Sequence, residues 1–143
     1  MGHHGSGSEP SPTRPSTAGS AMVEFVIVVS LLVTILFAMV DFGLMLNAKL
    51  VLAAAAREGA RRAAIEGGAT TVVYDRIRQQ LSLGQIDPEL AEITISPRTA
   101  TYGTAITVRL AYGYRPSFPI LRGVMGERVP LEAVTIARSE KIR

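Results

Sequence analysis

Hydrophobic and polar positions divide this chain into three regimes. From Ala21 to about Leu46 the only charges are Glu24 and Asp41, and Phe25 to Val40 carries none. An apolar run of about 20 residues is long enough to cross a bilayer as a helix, which predicts a transmembrane segment over about residues 25–46. A secretory signal peptide would have a basic start, a shorter apolar core and a small-residue cleavage site behind it. Here only Arg14 precedes the run and the run is long, so a retained helix is expected. The next stretch, "NAKLVLAAAAREGARRAAIEGG", is rich in strong helix formers and ends on Gly67-Gly68. One long helix over 20–67 follows. Within it Ala55, Gly59 and Ala63 fall four apart, as do Ala56, Ala60 and Ala64. Such stripes of small residues let another helix approach closely. An alanine-rich helix end that merely stays soluble would show the same pattern. Glu58 and Arg62 have the i,i+4 spacing of an ion pair.

Residues 68–143 read as a small soluble domain. "TTVVYDRIRQQLSLG" spaces Val73, Ile77 and Leu81 four apart, a short amphipathic helix that Gly84 ends. Asp87-Pro88 marks a turn, and after it the period switches to two. "AEITISPRT" alternates through Ile93 and Ile95, and "TAITVRLAYGY" through Ile106, Val108 and Leu110. "PLEAVTIARSE" alternates through Leu131, Ala133 or Val134, and Ile136. Three strands with short connections predict an antiparallel sheet with one face solvated and the other packed on a helix. The fold class is therefore α+β. Between the last two strands, "YRPSFPILRGVMGERVP" clusters Phe118, Ile120, Leu121, Val124 and Met125 among prolines and glycines that forbid regular structure. So apolar a loop either folds under the sheet or forms a surface contacting the membrane or a partner, with Arg115 and Arg122 facing anionic groups.

The third regime is residues 1–19, Gly, Ser, Pro and Thr with almost nothing apolar, read as a disordered natural leader. Composition then narrows the chemistry. The 143 residues contain no cysteine, and the only histidines are His3 and His4, in this leader. Thiolate metal sites and cysteine nucleophiles have no residues to work with, and serine–histidine catalysis and ordinary zinc chemistry are nearly excluded. The net charge of +3 is too small to indicate nucleic-acid binding. Asp41-Phe42-Gly43 spells the metal-binding triplet of kinases, but inside an apolar helix and without a glycine-rich or catalytic loop it carries no such role. The acids of the soluble part, Asp75, Asp87, Glu89, Glu92, Glu127, Glu132 and Glu140, show no metal-ligand spacing. No cofactor or metal is expected. The aromatics of "AYGYRPSFP" beside Arg115 suit a strand end better than a base-stacking platform.

The junction between leader and apolar run is more specific. It reads glycine, four residues, glutamate, then an aromatic: Gly19 to Glu24, then Phe25. This resembles the processing site of type IV prepilins of the Flp type. "GSAMVEFVIVVSLLVTILFAMVDFGLML", then "AAAAREGARRAAIEGG", then a closing strand ending "ARSE" is similar to a TadE-like pseudopilin of the tight-adherence system. The blocks from Glu24-Phe25 to Asp41-Phe42-Gly43 and "AREGARRAA" are its specific parts, while residues of about 70–128 match only in pattern.

The resemblance implies a prepilin peptidase cutting between Gly19 and Ser20. It also implies a Glu24 that pairs with the freed amino terminus of a neighbouring subunit, with Phe25 beside it. A carboxylate at a membrane entrance otherwise has no use, since ionised groups in hydrocarbon are costly. A Glu24 that merely points to water is the bland alternative. Asp41 lies about 25 Å further along the helix, so the two acids reach opposite interfaces. There Asp41 either snorkels to the interface or, as a possible intramembrane contact, meets a buried partner on another subunit. The implied protein is a minor pilin or pseudopilin in the bacterial inner membrane, its domain outside the cytoplasm or in an extracellular pilus. Its partners would be the peptidase, other pilins and the assembly machinery, with no nucleic acid, and it would not be an enzyme. Charge counts point the other way on orientation, because Lys49, Arg57, Arg61 and Arg62 follow the run and only Arg14 precedes it. A membrane-anchored adaptor outside any fibre, or an anchored enzyme using carboxylates, are the competing expectations.

Overall fold

The computed structural model describes residues 1–2 and 17–141. Most of the expected leader, residues 3–16, lies outside the described residues. The chain forms two units, Met1–Leu36 and Phe37–Arg143. The element that begins in the first and ends in the second is helix α1, Thr17–Glu66. Among the described residues it is the one helix long and apolar enough to cross a membrane, with a best mean hydropathy of 2.8. Every side chain from Gly19 to Val33 on it is exposed.

The second unit is a helix layer on one face of a sheet. Strands β1 (Ala91–Ser96), β2 (Ala105–Tyr114) and β3 (Val129–Arg138) pair antiparallel in that order. Helix α2, Thr71–Leu83, lies in the helix layer with the C-terminal half of α1. The inward face of the sheet places Ile95, Ile106, Val108, Leu110 and Leu131 against Leu52, Ala55, Ala56, Ala60 and Ala63 of α1 and Val73, Ile77 and Leu81 of α2. Burying each larger aliphatic side chain contributes about 1.5–3 kcal/mol. The expected α+β architecture, with a long apolar helix and a three-stranded antiparallel sheet, is the one observed.

Helix α1 stops where the sequence turns to Gly67 and Gly68. Both take positive φ, 77° and 133°, and both donate their N–H to the Ala63 carbonyl at 2.9 Å. A side chain with a Cβ is strained at such angles. The far end of the chain returns to the same place. Glu140 N–H donates to Ala64 O, and the Lys141 ammonium to Glu66 O, both at 2.9 Å. A cation on the last carbonyls also suits the negative end of the helix dipole.

Three expectations need correction. The segment after β2 is not irregular throughout, because Pro119–Met125 forms a short helix, α3. Proline at the first helical position loses no hydrogen bond there, so the residue that looked like a breaker opens the helix. In β3 the inward residues are Leu131, Ala133, Thr135 and Ala137, leaving Val134 and Ile136 exposed. Parity explains this: burying Ile136 would also bury Glu132 and Arg138 from the same face. Finally, Glu58 does not pair with Arg62. Arg61 donates to it through Nε and Nη2, both at 3.1 Å, and Arg76 of α2 adds a third bond at 3.2 Å.

Candidate functional site

The residues that the family resemblance and the small-residue stripe single out all lie on α1, at four levels. Gly19 and Ser20 are in its first turns and Glu24 and Phe25 one turn further, all exposed. Gly19, Ser20, Val23, Glu24, Ile27 and Val28 line one shallow groove, as their spacing of about one turn requires. Among the described residues nothing covers the apolar side chains that follow. Phe25 is 66% exposed and Leu32 also 66%. A soluble domain does not leave so long an apolar surface bare, and lipid or other apolar helices are its natural surroundings.

Asp41 is different, being only 4% exposed. The Tyr114 hydroxyl, at the end of β2, donates to Asp41 Oδ1 at 2.8 Å, and the Ser117 N–H is shared between Oδ1 and Oδ2 at 3.1 Å each. One turn earlier, the Phe37 and Phe118 rings stack with centroids 4.2 Å apart. Arg122 completes the arrangement by donating from Nε to the Pro116 carbonyl at 2.8 Å. The segment from β2 to α3 is therefore latched to α1 at Phe37 and Asp41. Burial, and next the bond to Asp41, push the Tyr114 phenol up to about 12. The structure gives Asp41 partners within its own chain. Sequence reasoning missed Tyr114 and Ser117, which lie more than seventy positions away; the one available sign was a polar ring in "AYGYRPSFP".

Ala55, Gly59 and Ala63 are buried at the fourth level. The close neighbour of their stripe is in this chain: a Cβ added at Gly59 would lie 2.6 Å from Ile77 Cγ1 and 3.6 Å from Val108 Cγ1. Small residues thus let both α2 and β2 approach α1. The Arg61 fork on Glu58, outweighing the effect of partial burial and joined by Arg76, holds the Glu58 carboxyl below the usual glutamate range.

The acids considered for chemistry do not converge. Asp75, Asp87, Glu89, Glu92, Glu127, Glu132 and Glu140 are all exposed. Glu132 pairs with Arg109 at 3.1 Å and Glu127 lies 3.7 Å from Arg115. Among the described residues no three of His, Cys, Asp and Glu gather where they could hold a metal ion.

No curated protein and no solved structure matches the chain. A family match does exist, and it falls on α1. Residues 19–61 match the family model of TadE-like protein, a TadE-like segment that takes in Gly19, Glu24, Asp41 and Gly59 and stops short of Ala63.

Proposed function

We propose that this chain is a minor pilin or pseudopilin that takes part in assembling or anchoring a tight-adherence pilus, after a prepilin peptidase has cut it between Gly19 and Ser20. The observation that carries the proposal is the TadE-like match, which begins at Gly19 itself. It is supported by the bare apolar surface of α1. That surface continues along α1 on both sides of Asp41 as a stripe of Met39, Phe42, Leu46 and Leu50, each between 48% and 68% exposed. Spacings of three and four put these side chains on one face, suited to packing against a neighbouring apolar helix.

Cleavage frees the Ser20 amine. Glu24, one turn along the helix, then meets the amine of a neighbouring subunit and sets the register of stacked helices. The charge it brings to the membrane is thereby offset. Gly19 lies inside the first turns of α1, and a peptidase needs an extended chain at the bond it cuts. Glycine makes that unwinding cheap, at about 1 kcal/mol less than alanine. The protein is a substrate of the peptidase and not itself an enzyme. It resides in the inner membrane with its domain outside the cytoplasm.

Mass spectrometry of the membrane-extracted chain, co-expressed with its peptidase, tests the reading. An N-terminus at Ser20, lost in Gly19→Leu, is expected. An intact leader in the unaltered chain would point to an anchored adaptor instead, and cleavage of Gly19→Leu at the same bond would refute the glycine's role.

A further inference from the structure

Helix α3 is a small, rigidly held platform with its apolar side chains on the outside. Ile120 is 64% exposed, Val124 81% and Met125 46%. Ile120 and Val124 are one turn apart and share a face. This is not a loop that swings free: the Phe37–Phe118 stack, the Asp41–Ser117 bonds and Arg122 on the Pro116 carbonyl hold it to α1. The place where it is held matters most. Phe37 and Asp41 fall in the closing part of the apolar run, shortly before a membrane-spanning α1 leaves the hydrocarbon. Exposed Arg115 and Arg128 flank α3 on either side, beside a single acid, Glu127.

We infer that α3 is a membrane-surface anchor: its Ile120, Val124 and Met125 side chains enter the headgroup boundary of the leaflet from which α1 emerges, and Arg115 and Arg128 meet anionic headgroups. The chemistry is that of short interfacial segments, apolar residues inserted at shallow depth with cations above them. The occupant is lipid because the platform is tied to residues in the closing part of the membrane run; a partner protein would find it already at the bilayer surface. Two contacts with the bilayer, one through α1 and one through α3, would fix the rotation of α1 about its axis, which a lone helix leaves free. The inference rests on the membrane reading of α1, and the experiment separates the two.

The chain has no tryptophan, so single tryptophans report without background. The full chain carrying Ile120→Trp, Val124→Trp, Val33→Trp or Tyr102→Trp is placed in vesicles of mixed zwitterionic and anionic phospholipid with brominated acyl chains. Tryptophan at 33 reports the membrane run, and at 102, a residue 71% exposed, the water-facing domain. We expect probes at 120 and 124 to lose roughly half their emission to lipid brominated near the headgroup, at any dilution of protein in lipid, as befits a shallow insertion. The probe at 102 should be unaffected. Quenching at 33 without quenching at 120 and 124 would overturn the inference and leave the membrane reading standing. Absence of quenching at 33 would overturn both. Blue-shifted emission at 120 that bromine does not quench would mean a second protein surface covers α3, which also overturns it.

Discussion

Replacing Asp41 by Ala should loosen the latch between α1 and the β2–α3 segment, and its size can be worked from the contacts. The carboxylate accepts one bond from the Tyr114 hydroxyl at 2.8 Å and a shared one from Ser117 N–H at 3.1 Å. A hydrogen bond to a charged group contributes about 1.5–3 kcal/mol, and a donor left buried without a partner costs about 1–3 kcal/mol. Tyr114 is only half-buried and can recover a water, so the lower ends apply. Asp41→Ala should cost about 2–4 kcal/mol and Tyr114→Phe about 1–2 kcal/mol. For a domain near 100 residues each kcal/mol moves the midpoint by about 4–8 °C, so both losses are measurable. Asp41→Asn does not restore the site, since one face of the amide must point a donor at a donor. The decisive assay is a double-mutant cycle on the full chain in detergent, with unfolding followed by circular dichroism. Tyr114→Phe should become nearly silent once Asp41 is Ala, for a coupling of about 1–2 kcal/mol. Equal cost in both backgrounds, within about 0.5 kcal/mol, would refute the latch.

Other expectations follow from the same contacts. The raised Tyr114 phenol contributes stability fully present below its ordinary value of 10.0 and lost as the pH rises towards about 12. A spectrophotometric titration should show a late phenol that Tyr114→Phe removes. The depressed Glu58 carboxyl acts at the other end: its contribution is present above the ordinary value of 4.5 and is lost as the pH falls through the lowered one. Glu58→Gln should therefore flatten the acid limb of a Tm-against-pH profile, and an unchanged limb would count against the Arg61–Glu58–Arg76 cluster. Gly59→Ala gains about 1 kcal/mol of helix propensity but overpacks Ile77 by about 1–3 kcal/mol, so Tm should fall. In an Ile77→Ala background the same change should turn neutral or stabilising. Glu24→Ala should insert in the membrane as well as the unaltered chain yet co-purify poorly with partner pilins, and normal co-purification would remove Glu24 from the assembly step.

What was legible in the sequence was what repeats. The apolar run, the Val73–Ile77–Leu81 spacing and the alternation through Ile106, Val108 and Leu110 each follow from a local period, and each element is present. What escaped depended on partners distant in the chain or on a residue with two meanings. Pro119 opens a helix as readily as it breaks one. Ile136 looked inward until Glu132 and Arg138 on its face decided the matter. Asp41 gave no hint of Tyr114 and Ser117, since no period links positions 73 and 76 apart. Glu58 had basic residues at both three and four positions on its own helix, and only packing brought Arg76 to it from α2.

The return of the chain end to Ala64 and Glu66 turns the compact unit into a ruler with labelled ends. Asp41 and Ala64 are 23 helical positions apart, about 35 Å at 1.5 Å per residue. Lys141 is held at Glu66, 25 helical positions from the Asp41 latch, so a label introduced at that residue sits remote from it. An antibody to such a label would bind far from the latch and leave the α1 stripe and α3 unobstructed. A label at the latch end would compete with the contacts that Asp41 and Phe37 make with Tyr114, Ser117 and Phe118.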